Sequence, residues 1–210
     1  DRLRALIDHC CQDNVFGYTP SDFTLAGLTQ RNLDTSFDIA HIENIYPLSP
    51  MQSGLLFQSL YAPDSDAYFV QSVFELEGEI DVLALKKAWQ KVSDHHPILR
   101  TGFIWQGLET SLQYVLESAE VPFEVEDWQD IGEKEREEAL QAFIKEDRKK
   151  GFNLNKAPLF RLTLIQWERN RYCLIWSQHH ILTDGWCISI VLGDVFKAYE
   201  ALTQKKEIHF

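Results

Sequence analysis

Ser177-Gln178-His179-His180-Ile181-Leu182-Thr183-Asp184-Gly185-Trp186 decides how this 210-residue chain is read. It follows an apolar, β-rich run, Arg171-Tyr172-Cys173-Leu174-Ile175-Trp176, and leads into a helical pattern from about Trp186 to Leu202. Strand, tight turn, helix presents side chains at the C-terminal end of a strand, a usual place for chemistry. Two histidines and an aspartate lie within six positions, and Gly185 can release the backbone for close approach to another chain or ligand. At ordinary residue frequencies, His-His-x-x-x-Asp-Gly arises by chance in roughly one in a thousand chains of this length.

Residues 160–167 and 171–178 read as a hairpin around Glu168-Arg169-Asn170 that delivers the two histidines at its far end. Upstream of it, residues 133–150 form a charged helix with Leu140, Phe143 and Ile144 inward, stopped by Gly151. Residues 101–105, 112–116 and 123–128 are short strands, with Gly107 in the turn between the first two. Asp81 caps a helix whose apolar face carries Leu83, Leu85, Ala88, Trp89 and Val92, closed by Pro97. Residues 68–76 alternate as a strand, and so do 41–48. Between them Ser49 caps a helix that opens with Pro50 and runs to about Tyr61. Residues 1–12 show helical spacing at Leu3, Leu6, Ile7 and Cys10. Residues 16–30, punctuated by glycine and proline, read as a connecting segment with a few hydrophobic anchors. The fold class is α/β in the loose (α+β) sense, helices packed on a mixed, largely antiparallel sheet.

With 45% hydrophobic residues the chain can bury a substantial single core. Its formal charge of -12 argues against a nucleic-acid partner, and the one dense basic run, 145–150, is interleaved with Glu146 and Asp147 at a helix end where cations suit the dipole. Cys10, Cys11, Cys173 and Cys187 show neither a disulfide framework nor zinc spacing, so they read as reduced thiols of a cytoplasmic protein. There is no signal peptide and no apolar run of about 18 residues, so no membrane span is expected. Gly-x-Ser-x-Gly, Walker and Gly-x-Gly-x-x-Gly motifs are absent, and the Asp64/Asp66 and Glu137/Glu138 pairs read as solvated surface. Both ends look like cuts through a larger protein.

Three ordered stretches resemble the core motifs of nonribosomal peptide synthetase condensation domains, which have the chloramphenicol-acetyltransferase-like fold. Tyr46-Pro47-Leu48-Ser49-Pro50-Met51-Gln52-Ser53-Gly54-Leu55-Leu56 is similar to the first. His96-Pro97-Ile98-Leu99-Arg100-Thr101-Gly102-Phe103 is similar to the second, often written RHExLRTxF, and His179 to Gly185 matches HHxxxDG. Together they cover about residues 42 to 202. Departures are His95 where the second motif often has arginine, Ser53 at a site often acidic, and Cys187 where serine is usual. The resemblance implies that residues 41–210 are the N-terminal lobe of such a domain, with its C-terminal lobe absent. Residues 1–40 are then an upstream linker or the tail of a preceding epimerisation domain. Ser49-Pro50-Met51-Gln52-Ser53-Gly54, Trp105-Gln106-Gly107-Leu108 and Asp184-Gly185-Trp186 resemble the subtype that joins a D-configured donor to an L-configured acceptor, and Tyr18-Thr19-Pro20-Ser21-Asp22-Phe23 with Leu25-Ala26-Gly27-Leu28 resembles the segment that follows an epimerisation domain.

In that family an acceptor amine attacks a donor thioester, forming a peptide bond during antibiotic biosynthesis. The step needs a group to accept or steer a proton and donors for the developing oxyanion. By resemblance His180 is the catalytic histidine, as base or amine-positioning group. His179 is structural, because its neighbour on an extended chain points to the opposite face. Asp184 is expected to pair with Arg100 and clamp the loop bearing His180. Gly185 allows the turn, Trp186 lines the substrate tunnel, and Ser49, Met51 and Gln52 carry no chemistry. No cofactor or metal is bound directly; substrates ride on the phosphopantetheine of carrier proteins. The implied partners are upstream donor and downstream acceptor carrier domains, the missing lobe, and adjacent adenylation and epimerisation domains. The alternatives are an epimerisation domain of the same superfamily and a catalytically silent carrier-docking scaffold, and the isolated fragment is expected to be inactive.

Overall fold

In the computed structural model, which describes residues 2–11, 17–37, 41–62 and 65–210, the apolar run before the two histidines is a strand, β7 (Arg171–His179), buried at every position after Arg171. A strand covered on both faces needs no polar alternation, which is why 171–176 reads as one apolar run. β7 is flanked antiparallel by β2 (Phe69–Glu77) and β6 (Phe160–Glu168), and β5 (Phe123–Asp127) joins β6 in parallel. The resulting sheet has the order β2-β7-β6-β5. β6 and β7 form the expected hairpin.

Side chains alternate between the two faces of β7. Tyr172, Leu174 and Trp176 share a core with Leu85, Trp89 and Val92 of α4 (Val82–His95) and with Val191, Val195 and Ala198 of α6 (Gly185–Thr203). Trp89 meets Trp176 edge to face at 5.1 Å between ring centres, a geometry worth about 1 kcal/mol beyond its buried area. Cys173 and Ile175 face the opposite way, with Leu140, Phe143 and Ile144 of α5 (Glu133–Lys150) against them. Leu83, expected on the apolar face of α4, is 72% exposed instead. It precedes Leu85 by two residues, a rotation of about 200° around the helix, so it points away from the sheet.

Start and stop signals act as read. The Ser49 hydroxyl accepts the Gln52 N–H at the start of α3 (Pro50–Tyr61), and the Asp81 carboxylate accepts the Ala84 N–H at the start of α4. Gly151, which ends α5, has φ 55, the left-handed region where a side chain strains the backbone.

A second sheet of three antiparallel strands, β1 (Ile42–Pro47), β4 (Leu112–Leu116) and β3 (Thr101–Ile104), is present in addition to the mixed sheet expected. Its core is completed by the segment read as a mere connection. Residues 17–37 contain a 3-10 helix (Pro20–Phe23) and α2 (Gln30–Ser36), and Phe23, Leu33 and Phe37 are buried against Ile42, Ile45 and Leu112. Earlier still, α1 (Arg2–Cys10) is a helix whose Leu3, Leu6 and Ile7 are exposed. Phe16 and Asp64 lie outside the described residues. Gly102 of β3 sits opposite Tyr114 of β4, where an added Cβ would come within 2.4 Å of the tyrosine oxygen. That close approach places the Tyr114 hydroxyl to donate to Asn155 O at 2.8 Å and accept the Ala157 N–H at 3.2 Å.

One buried charge fastens α5 to the large sheet. Asp147, 3% exposed, accepts from Arg161 Nε of β6 at 2.6 Å, Ser177 Oγ of β7 at 2.6 Å and Gln71 Nε2 of β2 at 2.9 Å. Arg161 also donates to the Asp147 and Gly151 carbonyls and lies over the Phe152 ring at 4.5 Å. Replacing one partner leaves the other charge buried and uncompensated, the costly way to break such a pair. Arg161→Met is expected to destabilise the chain by about 3 kcal/mol, read as a lower denaturant midpoint in urea unfolding.

Candidate active site

The two histidines fall where strand alternation puts them, on opposite sides of the end of β7. His179, 8% exposed, points to the α5 side. Its Nδ1 accepts the Ile181 N–H at 3.1 Å, so Nε2 carries the hydrogen. That nitrogen lies 3.3 Å from Ser59 Oγ of α3, whose own hydrogen goes to Leu55 O at 2.9 Å. Every polar atom of the His179 ring is therefore satisfied with the ring neutral. Burial, with a smaller push from the neighbouring His180, lowers its pKa to about 4.

His180 is exposed, and its backbone N–H donates to Tyr68 O at 2.8 Å, pinning the chain just beyond the strand. The ring Nδ1 lies 2.9 Å from Thr183 O. A carbonyl oxygen only accepts, so Nδ1 carries the hydrogen and Nε2 presents its lone pair outward. This is the tautomer a proton acceptor needs.

Arg100 and Asp184 do not form the expected clamp. Arg100, 4% exposed, donates to Ser93 O and Asp94 O at the end of α4, to Leu116 O and Glu117 O after β4, and to Glu43 Oε2 of β1 at 2.7 Å. Its donors are consumed by the carbonyl-rich end of a helix, where a cation is favoured, and by the second sheet. Asp184 is exposed and serves as the cap of α6, accepting the Trp186 and Cys187 N–H groups at 3.0 and 3.1 Å. A hydrogen bond from the Cys187 thiol and those backbone donors hold its carboxyl below the usual carboxylate range. Gly185 opens α6 without a left-handed φ, so the turn does not require glycine; nothing lies within 4 Å of the space its Cβ would fill. Trp186 is 84% exposed. Ser49 and Gln52 form a capping box, Gln52 bonds Gln113 at 3.1 Å, and Met51 is exposed.

His96 Nε2 lies 2.9 Å from Asp194 Oδ2, joining the end of α4 to α6, while His95 stacks on Phe210 at 4.4 Å between ring centres. On the His179 side, an open cleft of about 740 Å³ runs between α3, the end of α5 and the 151–155 loop, lined by Ser59, Tyr68, Trp105, Arg148, Asn155 and His179. His180 is not part of its wall. Asp66 at its rim pairs with Arg148 at 3.1 Å. Among the described residues, His, Cys, Asp and Glu nowhere gather in threes at metal-binding geometry, and no helix is long and apolar enough to cross a membrane. Cys11, Cys173 and Cys187 are free thiols, and burial pushes that of Cys173 up to about 12. Sequence reasoning missed Ser59, Gln178 and Thr183, of which the last two lay inside the motif stretch itself.

Residues 42–210 match the sequence profile of the family described as Condensation domain. This chain belongs to the condensation-domain family. The domain is 42% identical over 211 residues to one of the linear gramicidin synthase proteins of Brevibacillus parabrevis, covering all of this chain and 3% of that protein. It is 44% identical over 208 residues to another protein of the same synthase, and 35% identical over 203 residues to bacitracin synthase 3 of Bacillus licheniformis. These matches cover 98% and 95% of the chain, and 4% and 3% of those proteins. The fold matches the starter condensation domain of rhizomide synthetase (TM-score 0.70, 24% identity, 79% of this chain and 41% of that one). It also matches the first condensation domain of the calcium-dependent antibiotic synthetase (TM-score 0.68, 18% identity, 79% and 39%). The condensation domain described here thus spans about two fifths of the solved chains it matches and a few per cent of the curated synthases.

Two measurements check this geometry. A histidine whose folded pKa lies below its unfolded value takes up its proton on unfolding, so stability rises with pH between the two values. Melting temperatures should therefore fall as pH drops from 6.5 toward 4, with a His179 contribution on the order of 3 kcal/mol, and His179→Gln should flatten that part of the profile. Separately, Arg100→Ala should cost about 3 kcal/mol and Asp184→Ala less. The double variant should lose the sum of the two in urea unfolding, since the side chains share no partner.

Proposed function

We propose that this chain is the N-terminal lobe, residues 41–210, of a condensation domain that forms a peptide bond between a carrier-bound donor thioester and a carrier-bound L-aminoacyl acceptor. The single observation that carries the reading is the exposed His180 ring, held at Nδ1 by Thr183 O so that Nε2 faces outward with a free lone pair. The acceptor amine attacks the donor carbonyl, Nε2 takes or steers the ammonium proton, and the donor thiolate leaves. Neutral imidazole is the form required, because only an unprotonated ring nitrogen can accept the proton.

The donor is D-configured in this proposal. Support comes from the Trp105-Gln106-Gly107-Leu108 and Asp184-Gly185-Trp186 contexts and from residues 1–40, assigned to the linker or tail of an upstream epimerisation domain. The substrates ride on phosphopantetheine arms of an upstream donor and a downstream acceptor carrier domain in the cytoplasm, next to adenylation and epimerisation domains. A C-terminal lobe completes the tunnel, with Trp186 on its wall and Asp184 and Gly185 as the start of α6 beside the reacting groups. The 210-residue piece alone is inactive, because half the tunnel lies in that other lobe.

Peptide transfer by the parent module, followed by intact-mass spectrometry of the acceptor carrier, tests this. Transfer from a D-ended donor is expected, with little from the L-ended one, and His180→Ala should lower the rate about a hundredfold or more. Equal use of both donors removes the D-donor assignment. Undiminished transfer by a folded His180→Ala module removes His180 as the working group, and no transfer by the wild type with competent carriers points to a silent docking domain.

A further inference from the structure

We propose that Gln178 and Thr183 are positioning residues that set the tautomer and direction of His180, a role that rests on the reading of His180 given above. Both flank the histidine pair in the chain, and both are closed to solvent, Gln178 at 2% and Thr183 at 6% exposure. The Thr183 hydroxyl donates to Gln178 Oε1 at 2.9 Å, a side-chain bond spanning five residues. Within it, the Leu182 N–H donates to His179 O at 3.1 Å, so residues 178–183 form a small closed loop. The same Thr183 supplies the backbone carbonyl that receives the His180 Nδ1 hydrogen at 2.9 Å.

The chain of contacts runs in one direction. Gln178 is a fixed point, paired in the β-ladder with Val70 on one side and Phe160 on the other. Its amide holds the Thr183 side chain, and this fixes where the Thr183 carbonyl points. The carbonyl holds Nδ1–H of an otherwise exposed ring. An exposed imidazole has two accessible tautomers and free rotation, whereas this one is limited to the form with its lone pair at Nε2. As proton transfer proceeds and the ring gains charge, the Thr183 oxygen stays bonded to it, a base held by an orienting group. The His179 ring, on the opposite face, is engaged elsewhere, with the Ile181 N–H and the Ser59 hydroxyl.

The role is separable from packing because the hydrogen bond can be removed from both ends at constant shape. Gln178→Met and Thr183→Val each leave one polar group buried without a partner, whereas the double variant leaves none. In the parent module, both single variants should show kcat for peptide transfer reduced about tenfold with KM for either carrier unchanged. The double variant should recover the melting temperature of the wild type but not its kcat, and Thr183→Ser, which keeps the hydroxyl, should retain most of it. A readout independent of transfer is carbethoxylation of His180, mapped by peptide mass. With Nδ1 tied to Thr183 O, the wild-type ring should take one carbethoxy group, and the Gln178→Met/Thr183→Val ring should take a second. If kcat in the double variant recovers together with stability, or if His180 takes the same number of groups in both proteins, the positioning role is overturned. If His180→Ala transfers at the wild-type rate while the carbethoxylation difference persists, the positioning stands and the reading of His180 as the working group falls.

Discussion

A carboxylate out of reach of water, Asp147, is the constraint on which this fold depends. Its burial is tolerable only because β2, β6 and β7 each send a donor to it, from Gln71, Arg161 and Ser177. Those strands are the three that must lie in correct register for the histidines to emerge at the right place. The apolar layers supply most of the driving force but are permissive about position, since Leu, Ile and Val tolerate small displacements. A charge that needs all its partners is not permissive. The helix α5 is thereby fixed against the strand ends, and so is one wall of the cleft beside His179.

The adjacent imidazoles divide the work through burial. His179 looks inward, has both ring nitrogens occupied, and is kept neutral by its surroundings. His180 looks outward and has one nitrogen occupied. Two further supports converge on the same turn, Asp184 at the start of α6 and the Tyr68 carbonyl on the His180 amide. None of these is a strong interaction alone; together they hold the turn from both chain directions.

Much of this was legible in the chain, and the reasons are local. The caps at Ser49 and Asp81, the stop at Gly151 and the inward stripe of α5 depend on residues a few positions apart, and periodicity reports those directly. The doubly buried β7 showed itself as an unbroken apolar run. What failed was non-local or aperiodic. Arg100 finds Glu43, 57 positions away, and helix-end carbonyls that no motif advertises, so a partner assigned by resemblance was displaced by one supplied by geometry. The packing of Phe23, Leu33 and Phe37 on the second sheet was hidden because Gly17, Pro20 and Gly27 interrupt any period in the first half of the segment and only Leu33 and Phe37 are apolar in residues 29–37. The Gln178–Thr183 bond lay in plain view, but a contact between residues five apart means nothing until the turn that joins them is known.

The alternation along β7 also governs how this hairpin can change by insertion or deletion. Adding one residue upstream in the strand would send His179 to the exposed place of His180 and His180 to the buried place of Ile181, and removing one would bury both imidazoles, in the places of Gln178 and His179. Ser177 would leave Asp147 in the same step. Length changes that preserve the site must therefore come in pairs, or be absorbed before the strand begins. The β6–β7 ladder has one irregularity, between Gln166 and Glu168 next to the hairpin turn. Length drift in this hairpin belongs there, at the end farthest from the two histidines.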